Sequence, residues 1–234
     1  PWMMYLILAA NAAVFFYQLG LPMDELYRVI QVYGVVPASI DNPFMVLFPS
    51  RWVTLVPLLT AQFLHGGWLH LGSNMLYLWI FGDNVGCSMG SLRFLAFYLL
   101  AGAIGNLAHV MANLGSEVPT IGASGAVAGL LGAYLISFPY AKVLTLVPLG
   151  FFLTMVEIPA ILFLGFWFLL QLFSGFSAVA GSQPVAWWAH IGGFAAGMLL
   201  ILWFRRRLPR RPGGGRSPAG RDGIYGTRHG PRYR

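Results

Sequence analysis

Charged residues are scarce in this chain. Asp, Glu, Lys and Arg together make up 9% of its 234 residues, whereas 58% are hydrophobic. The mean hydropathy is +0.70, which lies well outside the range of soluble globular domains. This composition excludes an ordinary water-soluble domain and predicts a protein that is solvated by lipid.

Cysteine is nearly absent as well. The single Cys87 has no second cysteine with which to pair, so a disulfide-stapled fold is excluded. The sequence also lacks an initial Met, since it starts at Pro1 and becomes apolar almost at once. We therefore expect further residues to precede Pro1, and a targeting signal among them would not be visible here.

The few charges are distributed unevenly. Residues 205–234 contain ten Arg and one acidic residue, whereas residues 1–204 contain four basic and six acidic residues. A nucleic-acid site would spread basic side chains over a folded face, so a Pro/Gly-rich basic tail instead indicates a cytoplasmic flank that contacts membrane lipids. We predict a membrane domain over residues 1–204, a disordered cytoplasmic tail over residues 205–234, and no nucleic-acid partner.

Six stretches are long and apolar enough, or nearly so, to cross a bilayer, which takes roughly 20 residues. They are residues 3–19, 68–86, 92–112, 121–138, 157–174 and 185–204. The predicted fold class is all-α, a polytopic bundle of six transmembrane helices. The basic tail places the C-terminus in the cytoplasm, and six crossings return the N-terminus to the same side. The second, fourth and sixth helices are then parallel, and each begins at the outer face.

Two other apolar stretches are interpreted as interfacial. Residues 52–64 are short and contain Pro57, so we assign them to one long first loop, residues 20–67. Residues 143–156 are interrupted by Pro148 and Gly150, which predicts a membrane-surface segment leading into the fifth helix.

Polar side chains inside membrane helices are costly and are candidates for function. His70 and Asn74 lie one turn apart on one face of the second helix, Ser124 opens the fourth, and His190 lies one to two turns into the sixth. At about 1.5 Å per residue, all four fall within roughly 10 Å of the outer helix ends. Each has a commoner structural role when taken alone, such as a Ser that bonds its own helix. Their shared depth predicts a single site.

Small residues surround two of these positions. Gly122 and Gly125 flank Ser124, and Gly193 and Gly197 follow His190 along the sixth helix. Glycines let transmembrane backbones approach closely. The fourth and sixth helices are therefore predicted to pack near enough for a Ser–His hydrogen bond of about 2.6–3.2 Å.

Three motifs together resemble the rhomboid family of intramembrane serine proteases. They read His65-Gly-Gly-Trp-Leu-His70-Leu-Gly-Ser-Asn74, Gly122-Ala-Ser124-Gly125 and Ala189-His190-Ile-Gly-Gly-Phe-Ala-Ala-Gly197. The resemblance covers roughly residues 1–204. A single G-x-S-G is common in apolar sequence, whereas the three motifs in this order and spacing are highly specific.

The resemblance implies the role of each motif residue. Ser124 would be the nucleophile and His190 the general base, while His70 and Asn74 would form the oxyanion hole, with no metal and no cofactor. The implied activity is that of a multi-pass serine endopeptidase of the cell membrane. It would cleave the transmembrane segments of single-span proteins near the extracytoplasmic side.

The chain departs from the family pattern beside the base. Many members carry an aromatic residue one turn after the nucleophile, and this position is Ala128 here. The sequence contains no well-placed third carboxylate either, since Glu157 is expected at the inner end of the fifth helix. Other contacts must orient His190, and Trp187 and Trp188 are the candidates.

Two other functions compete with proteolysis. A rhomboid-like protein that binds membrane helices without cutting them is disfavoured because such relatives usually lack the nucleophile or the base. A metal-dependent enzyme or transporter would use histidines as ligands; the candidates are His65, His70, His109 and His190. Zinc sites prefer close pairs backed by a carboxylate, and the only close pair here is split by two glycines.

Overall fold

The computed structural model describes residues 1–40, 52–149, 152–177 and 185–206. Among the described residues before the predicted second span, the α-helices are α1 (Trp2–Leu19), α2 (Met23–Tyr33) and α3 (Trp52–Thr60), and two short 3-10 helices lie at Pro37–Ser39 and Ala61–Phe63. The remaining elements are α4 (Trp68–Met89), α5 (Ser91–Ala112), α6 (Ser124–Ser137), β1 (Lys142–Leu149), β2 (Phe152–Pro159), α7 (Ala160–Ser177) and α8 (Trp187–Phe204).

The mostly helical membrane architecture predicted from the sequence is confirmed. Within the described ranges, α1, α5, α7 and α8 are each long and apolar enough to cross a membrane. The other two predicted spans correspond to α4, which has 22 residues, and to the shorter apolar α6, which has 14. These six helices match the six predicted stretches, and the number of crossings stays a prediction.

The first loop is more ordered than predicted. It contains the amphipathic helix α2, which buries none of its residues, and the helix α3. Val35 exchanges two backbone hydrogen bonds with Thr120, at 2.9 and 2.7 Å. The N–H of Gly122 donates to the carbonyl oxygen of Ala61 at 2.8 Å. Main-chain hydrogen bonds therefore connect the first loop to the segment that precedes α6.

The segment between α6 and α7 has regular structure that the sequence did not reveal. Residues 142–149 and 152–159 pair as an antiparallel hairpin of β1 and β2, and the predicted membrane-surface location of residues 143–156 stays a prediction. Leu alternates with the β-branched residues Val and Thr along most of β1. Periodicity alone cannot assign such a short apolar stretch to a strand or a helix. The fifth helix starts at Ala160 instead of residue 157, and Glu157 lies on β2, where it forms an ion pair with Lys142.

Helix α6 occupies the centre of the bundle. Every residue from Gly125 to Tyr134 is buried, and the small side chains allow α8 to pack directly on the α6 backbone. A Cβ built on Gly193 would overlap the carbonyl oxygen of Gly125, and one built on Gly197 would overlap that of Gly129. The α6–α8 contact is therefore one of backbone against backbone.

Helix α7 presents two distinct faces. Its buried residues recur at helical spacing and are Ala160, Leu164, Gln171 and Gly175. The opposite face exposes large apolar side chains, namely Leu162, Phe166, Leu169, Phe173 and Phe176. An apolar exposed stripe is typical of a helix that faces lipid, and the buried face carries one polar residue, Gln171.

The end of α8 is joined to the α4–α5 turn. Gly90, at φ 85°, forms this turn, because a left-handed conformation favours glycine. The N–H of Arg206 donates to the carbonyl of Ser88 at 2.9 Å, and its Nε donates to that of Met89 at 3.2 Å. The predicted tail therefore starts with residues that pack on the bundle, and the rest of it, residues 207–234, lies outside the described residues.

Candidate active site

Ser124 stands at the start of α6, where the chain turns from the loop into the helix. Gly122 has φ 128°, a conformation that side-chain-bearing residues rarely adopt. The N–H of Gly122 is held by the carbonyl of Ala61. As the first residue of the helix, Ser124 has a backbone N–H with no intrahelical acceptor. The half-buried Ser124 thus combines a hydroxyl with an available backbone donor.

The ring of His70 lies directly beside this turn. A Cβ built on Gly122 would approach His70 Nε2 to 2.5 Å, so only glycine leaves room for the imidazole. The N–H of Gly66 donates to His70 Nδ1 at 3.4 Å. Since Nδ1 accepts, the neutral ring carries its proton on Nε2. His70 therefore points an N–H donor at the residues next to Ser124.

Asn74 lies one turn further along α4. Its side chain is 5% exposed, and its Nδ2 has no hydrogen-bond partner among the described residues. Burial of an unsatisfied donor costs about 1–3 kcal/mol, so the donors of a folded protein are rarely left in this state without a reason. The free amide N–H of Asn74 can donate a hydrogen bond to an acceptor atom of a bound ligand.

His190 lies in the first turn of α8 and is held from α7. Its Nδ1 is 2.9 Å from Oε1 of Gln171, and Gln171 Nε2 donates to the carbonyl of Trp167 at 3.2 Å. The Trp167 ring also packs near the imidazole, with centroids 6.1 Å apart and planes 31° apart. Gln171 was missed by the sequence analysis, although a polar residue in an apolar span was a signal.

The two tryptophans suggested by the sequence behave differently. Trp187 contacts the His190 ring edge-on, at a centroid distance of 6.1 Å. Trp188 packs instead on Phe176 of α7, at 5.2 Å. Of these aromatic neighbours, Trp167 has the ring plane more nearly parallel to that of His190, at 31°.

The predicted site residues meet in one cavity of about 1080 Å³. Ser124, His190, His70 and Asn74 all line it, together with aromatic side chains of α4, α7 and α8. Each of the four residues lies in the first two turns of its helix, so the N-terminal ends of α4, α6 and α8 converge here. The partial positive charge of helix N-termini favours a developing negative charge in this region.

The other two histidines of the proposed metal set differ in their contacts. His65 is buried; its backbone N–H donates to Gln18 Oε1 at 3.0 Å and its ring packs on that of His70 at 5.1 Å, while its two ring nitrogens have no hydrogen-bond partner among the described residues. His109 Nε2 is 2.9 Å from the Thr120 hydroxyl. Within the described ranges, no three His, Cys, Asp or Glu side chains converge on a point that could hold an ion.

The arrangement supports one kind of chemistry best. A serine hydroxyl, a histidine whose Nδ1 is engaged elsewhere, and donors from His70, Asn74 and the backbone all face the same space. These are the parts that acyl transfer requires: a nucleophile, a base, and donors for a tetrahedral oxyanion.

Comparison with known proteins gives the same family that the motifs resemble. A family model described as the Rhomboid domain matches residues 52–207. The chain is 31% identical over 150 residues to "Rhomboid protein 1, mitochondrial" of Saccharomyces cerevisiae, covering 62% of this chain and 39% of that protein. It is 34% identical over 141 residues to "Rhomboid protease GluP" of Bacillus subtilis, covering 58% of this chain and 24% of that protein.

A plant relative aligns over a larger part of the chain. The chain is 32% identical over 169 residues to "Rhomboid-like protein 11, chloroplastic" of Arabidopsis thaliana, which covers 69% of this chain and 55% of that protein. The alignments with these three relatives thus cover between 24% and 55% of the relatives' own length. The family match nevertheless covers well over half of the chain and contains the five helices, α4 to α8, whose described residues border the cavity. This membrane protein therefore belongs to the rhomboid family.

Proposed function

We propose that the chain is an intramembrane serine endopeptidase. It cleaves the transmembrane segment of single-span proteins with a Ser124–His190 dyad, and His70 and Asn74 form the oxyanion hole. Family membership supports proteolysis, and the name of the Bacillus subtilis relative describes a protease. The observation that carries the proposal is the shared cavity, in which the buried Asn74 amide has no partner of its own among the described residues.

In the proposed mechanism, His190 Nε2 takes the proton of the Ser124 hydroxyl as Oγ attacks the scissile carbonyl. The resulting oxyanion accepts hydrogen bonds from His70 Nε2–H, Asn74 Nδ2–H and the backbone near Ser124. His190 then returns the proton to the leaving amine. Water, activated by the same histidine, hydrolyses the acyl-enzyme.

The substrate class follows from the position of the cavity. It lies at the N-terminal ends of α4, α6 and α8, which is the outer end if the Arg-rich tail is cytoplasmic. A helical substrate must expose its carbonyl there, and unpaired backbone groups in lipid cost several kcal/mol each. We therefore propose substrates with small or helix-breaking residues near the extracytoplasmic end of a single span, cleaved in the cell membrane.

Reconstituted protein tests this proposal. The full chain is incubated in liposomes with a tagged single-span substrate, and the fragments are mapped by mass spectrometry. We expect a cut in the outer third of the span for the wild type and none for Ser124→Ala or His190→Ala. The double variant should be no worse than either single variant, because the two residues act as a unit.

Three results would contradict the proposal. Substantial cleavage by folded Ser124→Ala would remove its assignment as nucleophile. A cut in the cytoplasmic half of the substrate would be incompatible with the orientation drawn from the tail. Inhibition by EDTA, which the dyad should not show, would return a metal-dependent mechanism to consideration.

A further inference from the structure

We propose that Gln171 of α7 is a positioning residue for the reaction: it holds the His190 ring in the Nδ1–H tautomer, with Nε2 directed to the nucleophile. This inference rests on the proposed function and adds a residue that lies outside the three family motifs. It answers the question of what orients the base when no carboxylate and no aromatic residue at position 128 are present.

The hydrogen-bond network assigns the orientation of the Gln171 amide. The carbonyl oxygen of Trp167 can only accept, so the group 3.2 Å from it must be the amide nitrogen, Nε2. The amide oxygen, Oε1, then faces His190 Nδ1 at 2.9 Å. Because Oε1 can only accept, Nδ1 must carry the proton. A neutral imidazole has a single N–H, so Nε2 is left with the lone pair that a general base needs.

Burial makes this amide suited to the task. Gln171 is 6% exposed and lies on the buried face of α7, away from the lipid-facing stripe. A carboxylate at this depth would require further hydrogen bonds to offset its desolvation, whereas a neutral amide carries a smaller penalty. Its carbonyl dipole also stabilises the positive charge that His190 acquires during the reaction.

Helix α7 holds the imidazole in two ways. Gln171 bonds the Nδ1 edge of His190, and Trp167, one turn earlier, lies beside the imidazole with the ring centroids 6.1 Å apart. The amide hydrogen bond from Gln171 to the Trp167 carbonyl fixes the Gln171 side chain itself. The two contacts restrict both the plane and the rotation of the ring, so a change at Gln171 should disturb the direction of Nε2.

Kinetics of two Gln171 variants test the proposal. Gln171→Met keeps a similar size but removes the acceptor, and we expect kcat to fall about 10–100-fold with KM within about twofold. Gln171→Glu keeps an acceptor and, when protonated, a donor for Trp167, so it should recover most of the lost kcat. A purely structural role would change thermal stability in both variants and would not separate them in kcat.

A matched control removes another buried glutamine. Gln62 also donates to main-chain carbonyls, those of Leu58 and Leu99. Neither glutamine lines the cavity, but Gln171 bonds the cavity residue His190 and Gln62 bonds none of the four site residues. Gln62→Met should therefore reduce the thermal stability while leaving kcat near the wild-type value. Equal kcat losses in Gln62→Met and Gln171→Met would overturn the positioning role.

A spectroscopic measurement separates this inference from the proposed function. In 15N-histidine-labelled protein, the His190 signals are identified among the five histidines by their loss in His190→Gln. We expect the Nδ1–H tautomer in the wild type and a mixture in Gln171→Met. The opposite tautomer in the wild type would overturn the inference even if the protein cleaves. Absence of cleavage with the expected tautomer would instead count against the proposed function alone.

Discussion

At the scale of single residues, the four motif side chains could be found from the sequence and their partners could not. His70, Asn74, Ser124 and His190 lie in local patterns with a chemical meaning. Gln171 belongs to no pattern, and its significance comes only from its distance to His190 in space. The rotation of α7 about its own axis decides which of its side chains meets His190, and this rotation cannot be predicted from a single sequence.

Asn74 gives the first residue-scale prediction. If its free Nδ2 serves the oxyanion, Asn74→Ala should lower kcat by about 10²–10³ with little change in KM. Its stability should not fall, because the variant removes a buried donor that has no partner among the described residues. Steady-state kinetics and thermal unfolding of the same preparation check both expectations.

Asn106 is the matched control for this prediction. It is also buried, but its Nδ2 donates to the carbonyl of Leu58 at 2.9 Å. Asn106→Ala should therefore lose about 0.5–1.5 kcal/mol of stability while keeping kcat. A stability loss in Asn74→Ala with unchanged kcat would assign Asn74 to helix packing instead.

His65 gives a prediction about pH. Desolvation by burial, with a contribution from the neighbouring His70, lowers the pKa of His65 from 6.5 to about 4. Between these two values the unfolded chain binds a proton that the folded chain does not, so stability must fall as the pH decreases through this window. The full effect below pH 4 is about 3 kcal/mol.

Thermal unfolding at several pH values checks this expectation. His65→Phe keeps a ring against His70 but cannot bind the proton. Its stability should therefore decline less steeply between pH 6.5 and 4 than that of the wild type. Parallel curves for the two proteins would show that His65 does not titrate on unfolding in this range.

At the scale of elements, helices were predicted well and the hairpin was not. Membrane helices need roughly 20 apolar residues in a row, a length that composition alone reveals. The hairpin strands have eight residues each, and short apolar runs do not distinguish strands from other structures. The order inside the first loop was missed for a related reason, since its main-chain bonds to residues 116–122 connect positions far apart in sequence.

The α6–α8 contact gives an element-scale prediction. Any side chain at position 197 would overlap the Gly129 carbonyl, so Gly197→Leu must push α8 away from α6. A displacement of about 1 Å between reacting groups can cost about 10²-fold in rate. We expect at least this loss of kcat, measured on protein that still elutes as a single species.

Gly165 offers the control within the same fold. A Cβ built there meets no atom within 4 Å. Gly165→Leu should therefore be tolerated in both expression and kcat. Normal activity in Gly197→Leu as well would show that the close approach of α6 and α8 is not needed for catalysis.

At the scale of the whole molecule, membrane orientation is the property that most needs measurement. Cys87 is exposed near the end of α4 opposite the cavity, and it is the one cysteine in the sequence. The six-crossing arrangement predicts that this end faces the cytoplasm. A membrane-impermeant maleimide should label Cys87 in inside-out vesicles and not in intact cells.

A cysteine introduced at the opposite end of the bundle completes the test. Glu117 is exposed in the loop before α6, on the cavity side of the bundle. Glu117→Cys in a Cys87→Ser background should be labelled in intact cells. Labelling of Cys87 from outside would exclude the predicted orientation, and with it a cut near the extracytoplasmic end of the substrate.

The main-chain support of the loop before Ser124 has a consequence for how this protein can diversify. The two bonds between Val35 and Thr120 and the bond from the Gly122 N–H to the Ala61 carbonyl use backbone atoms, so they do not depend on the side chains at positions 118 and 119. Neighbouring side chains such as Val118 and Pro119 face the cavity without carrying that support. Mutational drift can therefore reshape the wall of the cavity while Ser124 keeps its place. A randomised library at these two positions should yield many folded variants that differ in the peptides they prefer.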